Sequence, residues 1–337
     1  MCTRFFSSAL LTTGCAIVLL SYLIYNRFSI KEMSPKPFEN AEGGSVKLNS
    51  GYFMPIMGLG TYKLPEGAEL GYCLDAALRV GYRLFDTAIK YGNEADIGMA
   101  LESLLPIHNL KREDIFITSK IFPPKDNFAA EVEKGVGESL IKLKTSYIDL
   151  YLVHYPTYDV FSEEADQDPM NAERRKQTYL ALQKIAQSGR IRSVGVSNFE
   201  EQHLAELEIL NVPMPAVNQV EYHPHFIRKE LHEACKKRGI VFSAFGSLGR
   251  MAPSLFQDEA VDKMATAMGC NKAQLLLAFA ISQNIPVCPK STKEERMREN
   301  FESYKFQLTD DKVKALEARD KPGTEGNYIR AYGWRVR

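Results

Sequence analysis

From residue 56 onward the chain repeats one alternation, a short apolar run followed by a longer stretch whose apolar residues recur at helical spacing. The runs are Ile56 to Gly58, Arg83-Leu84-Phe85, Ile115-Phe116-Ile117, Ile148 to Val153, Val194-Gly195-Val196, Ala216-Val217, Ile240 to Phe242 and Ile285 to Val287. Between them lie Leu70 to Val80, Ala130 to Leu143, Arg174 to Gln187, Glu200 to Leu210, Lys229 to Lys237 and Lys272 to Ser282. Unbroken apolar runs suit strands covered on both faces, and helices between them make successive strands parallel. An α/β chain of this kind folds as an open doubly wound sheet or as a closed barrel. Gly58-Leu59-Gly60 lacks the third glycine of a dinucleotide-binding turn, which favours a (β/α)8 TIM barrel.

In such a barrel the chemistry gathers where the strands end, so a polar residue closing an apolar run is the place to look. Leu84-Phe85 leads to Asp86, with Tyr91 five residues on; Ile117 leads through Thr118 and Ser119 to Lys120; Leu152-Val153 leads to His154. Neighbouring strands would bring these four side chains to one mouth. A phenol has a pKa of about 10 and is a poor acid at neutral pH, and a buried ammonium beside it favours its anion. A carboxylate then keeps the ammonium charged, and an imidazole can orient a carbonyl oxygen toward the phenol. A lone Asp–Lys pair at a strand end is more often structural. Four complementary groups on three adjacent strand ends form a stronger pattern.

Other chemistries find less support. The 42 basic and 42 acidic residues cancel, leaving no basic field for nucleic acid. The six cysteines are scattered without a Cys-x-x-Cys pair, so neither a zinc site nor a disulfide scaffold is expected. His223-Pro224-His225 reads as a turn after the sixth strand rather than as metal ligands. Ser247 has no Gly-x-Ser-x-Gly frame, and the serine-hydrolase reading fails.

The N-terminus stands apart. Phe5 to Tyr25 carries no charge and is long enough to cross a bilayer, while the bulky residues that follow do not resemble a signal-peptidase site. An uncleaved single-pass anchor is expected over residues 1–30, with a polar linker over 31–44. Arg27, Lys31 and Lys36 outnumber Arg4, placing the rest of the chain on the cytoplasmic side.

Gly81-Tyr82-Arg83-Leu84-Phe85-Asp86-Thr87-Ala88, followed by Tyr91-Gly92-Asn93-Glu94, resembles the signature of the aldo-keto reductases. Leu48 to Lys63 is similar to that family's opening β-hairpin and first strand, Asp149 to Pro156 to its fourth strand, and Gly195 to Phe199 to its fifth. Pro289 through Arg296 to Asn300-Phe301 resembles its cofactor-binding close. The resemblance implies a hairpin-capped barrel over 45–323, monomeric and without metal, in which NADPH reduces an aldehyde or ketone. It makes Tyr91 the general acid, Lys120 and Asp86 its tuning pair, and His154 the group that orients the carbonyl. It assigns Ser197, Asn198 and Gln219 to the nicotinamide amide, and Lys290, Ser291, Arg296 and Asn300 to the adenosine and its 2′-phosphate. Ser291 or Thr292 is expected to cap the helix after strand eight, with Glu294 or Glu295 completing a capping box. Its start then offers an anion site that Lys290 and Arg296 reinforce.

The departures from the family concern the substrate and the cofactor strap. Tyr62 and Tyr155 stand where the family carries tryptophan, and the nicotinamide-stacking tyrosine is Phe245. Gly246-Ser247-Leu248-Gly249-Arg250 replaces the usual strap sequence, with Leu248 kept among the cofactor contacts. The tail, 324–337, with Tyr332 and Trp334, is expected to shape substrate choice. A carbonyl arriving from the bilayer would be lipophilic. The alternative function is a membrane-tethered NADPH-binding, redox-sensing subunit with little turnover.

Overall fold

The computed structural model describes Phe38 and residues 41–321, 323–329 and Gly333. The expected membrane helix, most of the linker, Tyr332 and Trp334 lie outside the described residues. Among the described residues no single helix is long and apolar enough to cross a membrane. A compact unit begins at Phe38, whose ring meets Phe116 edge-on at 6.3 Å.

Strands β1 (Ser45–Lys47) and β2 (Phe53–Pro55) form an antiparallel hairpin with Val46 opposite Met54. Seven strands then pair in parallel, each with the next: β3 (Gly58–Gly60), β4 (Leu84–Asp86), β5 (Phe116–Ile121), β6 (Ile148–Val153), β7 (Ile191–Ser197), β8 (Val217–Glu221) and β9 (Val241–Phe245). The eighth strand expected at Ile285 to Val287 is reduced to single bridges, from Val287 to Met57 on one side and to Ala244 on the other. Gly58 N–H donates to Val287 O (2.8 Å), Val287 N–H to Ile56 O (2.9 Å) and Ala244 N–H to Pro286 O (2.7 Å), so the ring closes. Pro286 and Pro289 flank this contact, and residues without an N–H cannot lengthen the ladder.

Helices run between the strands, α1 (Ala68–Val80), α2 (Glu94–Ile107), α3 (Phe128–Lys142), α4 (Asn171–Ala186), α5 (Glu201–Glu208), α6 (Lys229–Lys237), α7 (Glu259–Met268) and α8 (Lys272–Ile281), while α9 (Glu294–Phe301) and α10 (Asp310–Glu317) follow the closing contact. Helix α1, for example, buries an apolar stripe of Leu70, Leu74, Ala77 and Leu78. Helices α2 and α3 approach closely at Gly98, where a Cβ would lie 2.1 Å from Lys142 O.

Inside the ring the side chains change character along the strands. At the strand starts, Leu84, Phe116, Leu150 and Val217 pack with Leu48 and Met54 of the hairpin into a closed apolar floor. Side chains alternate along a strand, so residues two or four positions on share the same inner face. Those residues are Asp86, Lys120, His154 and Gln219. The floor supplies core burial, and the polar layer above it forms the mouth.

Candidate active site

Lys120, 1% exposed, is the hub of this layer. Its ammonium donates to Asp86 Oδ1 at 2.5 Å, to Thr87 O at 3.0 Å and to the Tyr91 hydroxyl at 3.4 Å. Strand pairing sets this arrangement: Asp86 lies opposite Thr118, and Lys120 follows two residues later on the same face. Tyr91 reaches the site from a short 3-10 turn, Ile89–Tyr91, immediately after β4. The second Asp86 oxygen accepts from Gln219 Nε2 at 2.8 Å, so both oxygens of the carboxylate have donors.

The ionisation states follow from burial and charge. Burial takes the Lys120 ammonium down, but Asp86 and Tyr91 together outweigh it, and its pKa sits above the usual lysine value. For Tyr91 burial is the largest influence and pushes the phenol up; Lys120 pulls it back and Asp86 pushes it further up. The expected lowering by the ammonium is therefore present but smaller than the cost of burying a phenolate, and Tyr91 keeps its proton at neutral pH. Burial, Lys120 and Lys90 hold the His154 imidazole well below its ordinary value, so it is neutral.

The rings of Tyr91 and His154 meet edge-on at 5.6 Å, and Tyr62 lies 5.0 Å from Tyr91, itself 42% exposed. Phe122, absent from the residues expected at the site, stands 4.7 Å from His154 and 6.5 Å from Tyr155. Its only signal is an aromatic side chain directly beyond the end of β5. Tyr155, in contrast, is 2% exposed.

The residues expected around a nicotinamide lie on the next two strands. Ser197 Oγ donates to Gln219 O at 2.7 Å, while Asn198 Nδ2 donates to Ser197 Oγ at 3.0 Å and to His154 O at 3.1 Å. Asn198 adopts φ +60°, a left-handed conformation that asparagine tolerates better than most residues. Phe245 sits opposite Glu221 at the end of β9, and Leu248 packs on the main core. Beyond the closing bridge, Ser291 and Asn300 are buried while Lys290 and Arg296 are exposed.

The helix cap differs from the expected one. Helix α9 has Lys293 at its N-cap with no side-chain hydrogen bond. Ser291 uses its hydroxyl in the preceding turn, accepting from Lys293 N–H (3.1 Å) and donating to Lys293 O (3.2 Å). Among the described residues neither Lys293 nor Ser291 therefore caps the first amides of α9 with its side chain. His223 bonds Glu221 and His225 bonds Asp258, and a backbone pair joins His223 to Phe226, which makes this motif a turn.

Residues 56–321 match the model of the aldo/keto reductase family. The chain is 34% identical to the glyoxal reductase of Bacillus subtilis (strain 168) over 277 residues, covering 82% of this chain and 93% of the relative. It is 35% identical to the NADP-dependent D-sorbitol-6-phosphate dehydrogenase of Malus domestica over 295 residues, 82% of this chain and 94% of the relative. The aldose reductase structure from Schistosoma japonicum superposes with a TM-score of 0.74 at 32% identity, covering 86% of this chain and 96% of that one.

Proposed function

We propose that this chain, which belongs to the aldo/keto reductase family, reduces aldehydes or ketones to alcohols with a hydride from NADPH and a proton from Tyr91. Membership makes it an NAD(P)H-dependent oxidoreductase of carbonyl groups. The preference for NADPH and the residue roles are our reading. The observation that carries it is the Lys120 ammonium held between the Asp86 carboxylate and the Tyr91 hydroxyl.

The residues present suit a phosphorylated dinucleotide. Ser247 Oγ, in the strap, is buried without a hydrogen-bond partner among the described residues. The start of α9 has no side-chain cap, and the exposed Lys290 and Arg296 flank it, an arrangement that favours an added phosphate. Lys290, Ser291, Arg296 and Asn300 would hold the adenosine and its 2′-phosphate. Ser197, Asn198 and Gln219 would hold the nicotinamide amide, with Phe245 on its ring face and Leu248 in the strap. When bound, the cofactor supplies the hydride.

The remaining work falls to this chain. Neutral His154 has one ring N–H to donate, and it directs the carbonyl oxygen toward Tyr91. Tyr91, still protonated, passes its proton to that oxygen as negative charge builds there. Lys120 stabilises the phenolate left behind, and Asp86 keeps Lys120 charged and in place. Tyr62, His154 and Tyr155 are our substrate-side assignments. Residues 1–30 would hold a monomeric barrel to the cytoplasmic face of a membrane, a reading that rests on the composition of Phe5 to Tyr25.

The test is NADPH and NADH oxidation with a panel of aldehydes and ketones, alongside fluorescence titration of each cofactor. Tyr91→Phe should lower carbonyl reduction by about 10²–10⁴-fold while leaving NADPH affinity unchanged. A wild-type chain that binds NADPH and turns over none of the panel would point to the tethered sensing subunit instead.

A further inference from the structure

Strand β8 ends in a buried carboxylate that the chemistry above does not use. Glu221 is 1% exposed and lies two residues beyond Gln219 on the same inner face. It accepts from Asn327 Nδ2 (2.6 Å), Tyr328 N–H (2.8 Å) and Ile329 N–H (3.0 Å), and from His223 Nε2 (3.1 Å) when that nitrogen carries the proton. Three donors from one short tail segment thus converge on one carboxylate. Tyr328 is held further by a stack on His223 (5.1 Å, 15°) and by contacts of its hydroxyl with His225 Nδ1 (2.7 Å) and Ser254 Oγ (2.8 Å). His225 is in turn fixed by Asp258, to which Arg319 also donates.

The opposite side of the same tail segment meets the strap. Gly246 and Gly249 have φ +65° and +50°, which favour glycine, and Gly249 N–H closes the turn on Gly246 O at 2.7 Å. A Cβ on Gly246 would lie 2.9 Å from Ile329 Cγ1, and one on Gly249 would lie 2.9 Å from Tyr328 Cδ2. The tail is therefore wedged between the end of β8 and the turn that carries Ser247 and Leu248.

We propose that Glu221 is a positioning residue for cofactor exchange: it docks Asn327, Tyr328 and Ile329 against the Gly246–Gly249 turn, and the strap opens only when this tail segment leaves. The inference rests on the reading of Leu248 and its loop as the cofactor strap. Glu221 touches neither carbonyl nor hydride in this scheme. Its removal should change how long the cofactor stays, not how fast it reacts.

The Tyr328 and Ile329 amides, both donating to Glu221, report docking directly. Hydrogen exchange at these two amides reads tail docking without cofactor, stopped-flow displacement reads NADPH release, and single turnover at saturating NADPH reads hydride transfer. Glu221→Gln removes the charge, and Asn327→Asp sets a like charge against Glu221 from the tail side, which keeps the test open if the first variant does not fold. Both should speed hydrogen exchange at the Tyr328 and Ile329 amides and speed NADPH release about tenfold or more, with hydride transfer within about twofold of wild type. A freed tail with unchanged release, a tail that stays docked in both variants, or hydride transfer falling in step with release would each overturn the proposal. Failure of the underlying functional reading is distinct, since the wild-type chain would then bind no NADPH or, having bound it, transfer no hydride to any carbonyl.

Discussion

Asp86, Lys120 and His154 were legible in the sequence because each stands at or just past the end of an apolar run, where a polar side chain is conspicuous, and Tyr91 because it follows Asp86 within the stretch that resembles the family signature. Glu221 closes its run in the same way, but its partners Asn327, Tyr328 and Ile329 lie more than a hundred positions away, and no local pattern connects them. Phe122 was silent for the opposite reason, since an aromatic residue at a strand end looks like core. The pH response follows from the Tyr91 environment. Tyr91 must hold its proton to act as an acid, and its pKa lies above the ordinary value, so kcat/KM should stay level through neutral pH and fall only as pH rises beyond about 10. In the double variant Lys120→Met with Asp86→Asn, the stronger downward pull of Lys120 is lost along with the weaker push of Asp86. The alkaline limb should then move higher as the rate drops; a limb that moved lower would refute this ordering. The double substitution is needed because Lys120→Met alone would leave a buried carboxylate unpaired, at roughly 3–5 kcal/mol.

The order of strands and helices could be read from hydrophobic period, which reports burial on one face or two. The length of the closing strand could not. Ile285 to Val287 has the composition of a strand, yet Pro286 and Pro289 deny it the amides that a longer ladder needs. The cap of α9 was misplaced for a related reason: Ser291 and Thr292 are good capping residues, and a local turn claimed Ser291 first. Close approach of helices is also invisible in a period. At Gly98 an added methyl would meet the backbone carbonyl of Lys142, which cannot rotate aside, so Gly98→Ala should cost about 1–3 kcal/mol and lower the urea midpoint. Gly137, on α3, has nothing within 4 Å of the position a Cβ would take, and Gly137→Ala should instead stabilise the fold by about 0.5–1 kcal/mol and raise the midpoint. Equal effects at the two sites would show that the α2–α3 contact does not limit stability.

As a whole molecule, the chain joins an apolar N-terminal segment to a compact unit that begins at Phe38 and carries every residue of the proposed site. A chain starting at Phe38 should therefore reduce water-soluble aldehydes with the same kcat as the full chain. Only the full chain should remain with membranes after an alkaline carbonate wash; full-length protein found wholly in the supernatant would remove the anchor from the account. The hairpin at the other end of the barrel has a kinetic consequence. Leu48 and Met54 seal the strand starts, so under the proposed assignments dinucleotide and carbonyl would share one doorway at the strand ends. Traffic through a single doorway forms a queue: the larger guest enters first and departs last. Oxidised cofactor should accordingly compete with reduced cofactor for the free enzyme, while the alcohol product competes with neither.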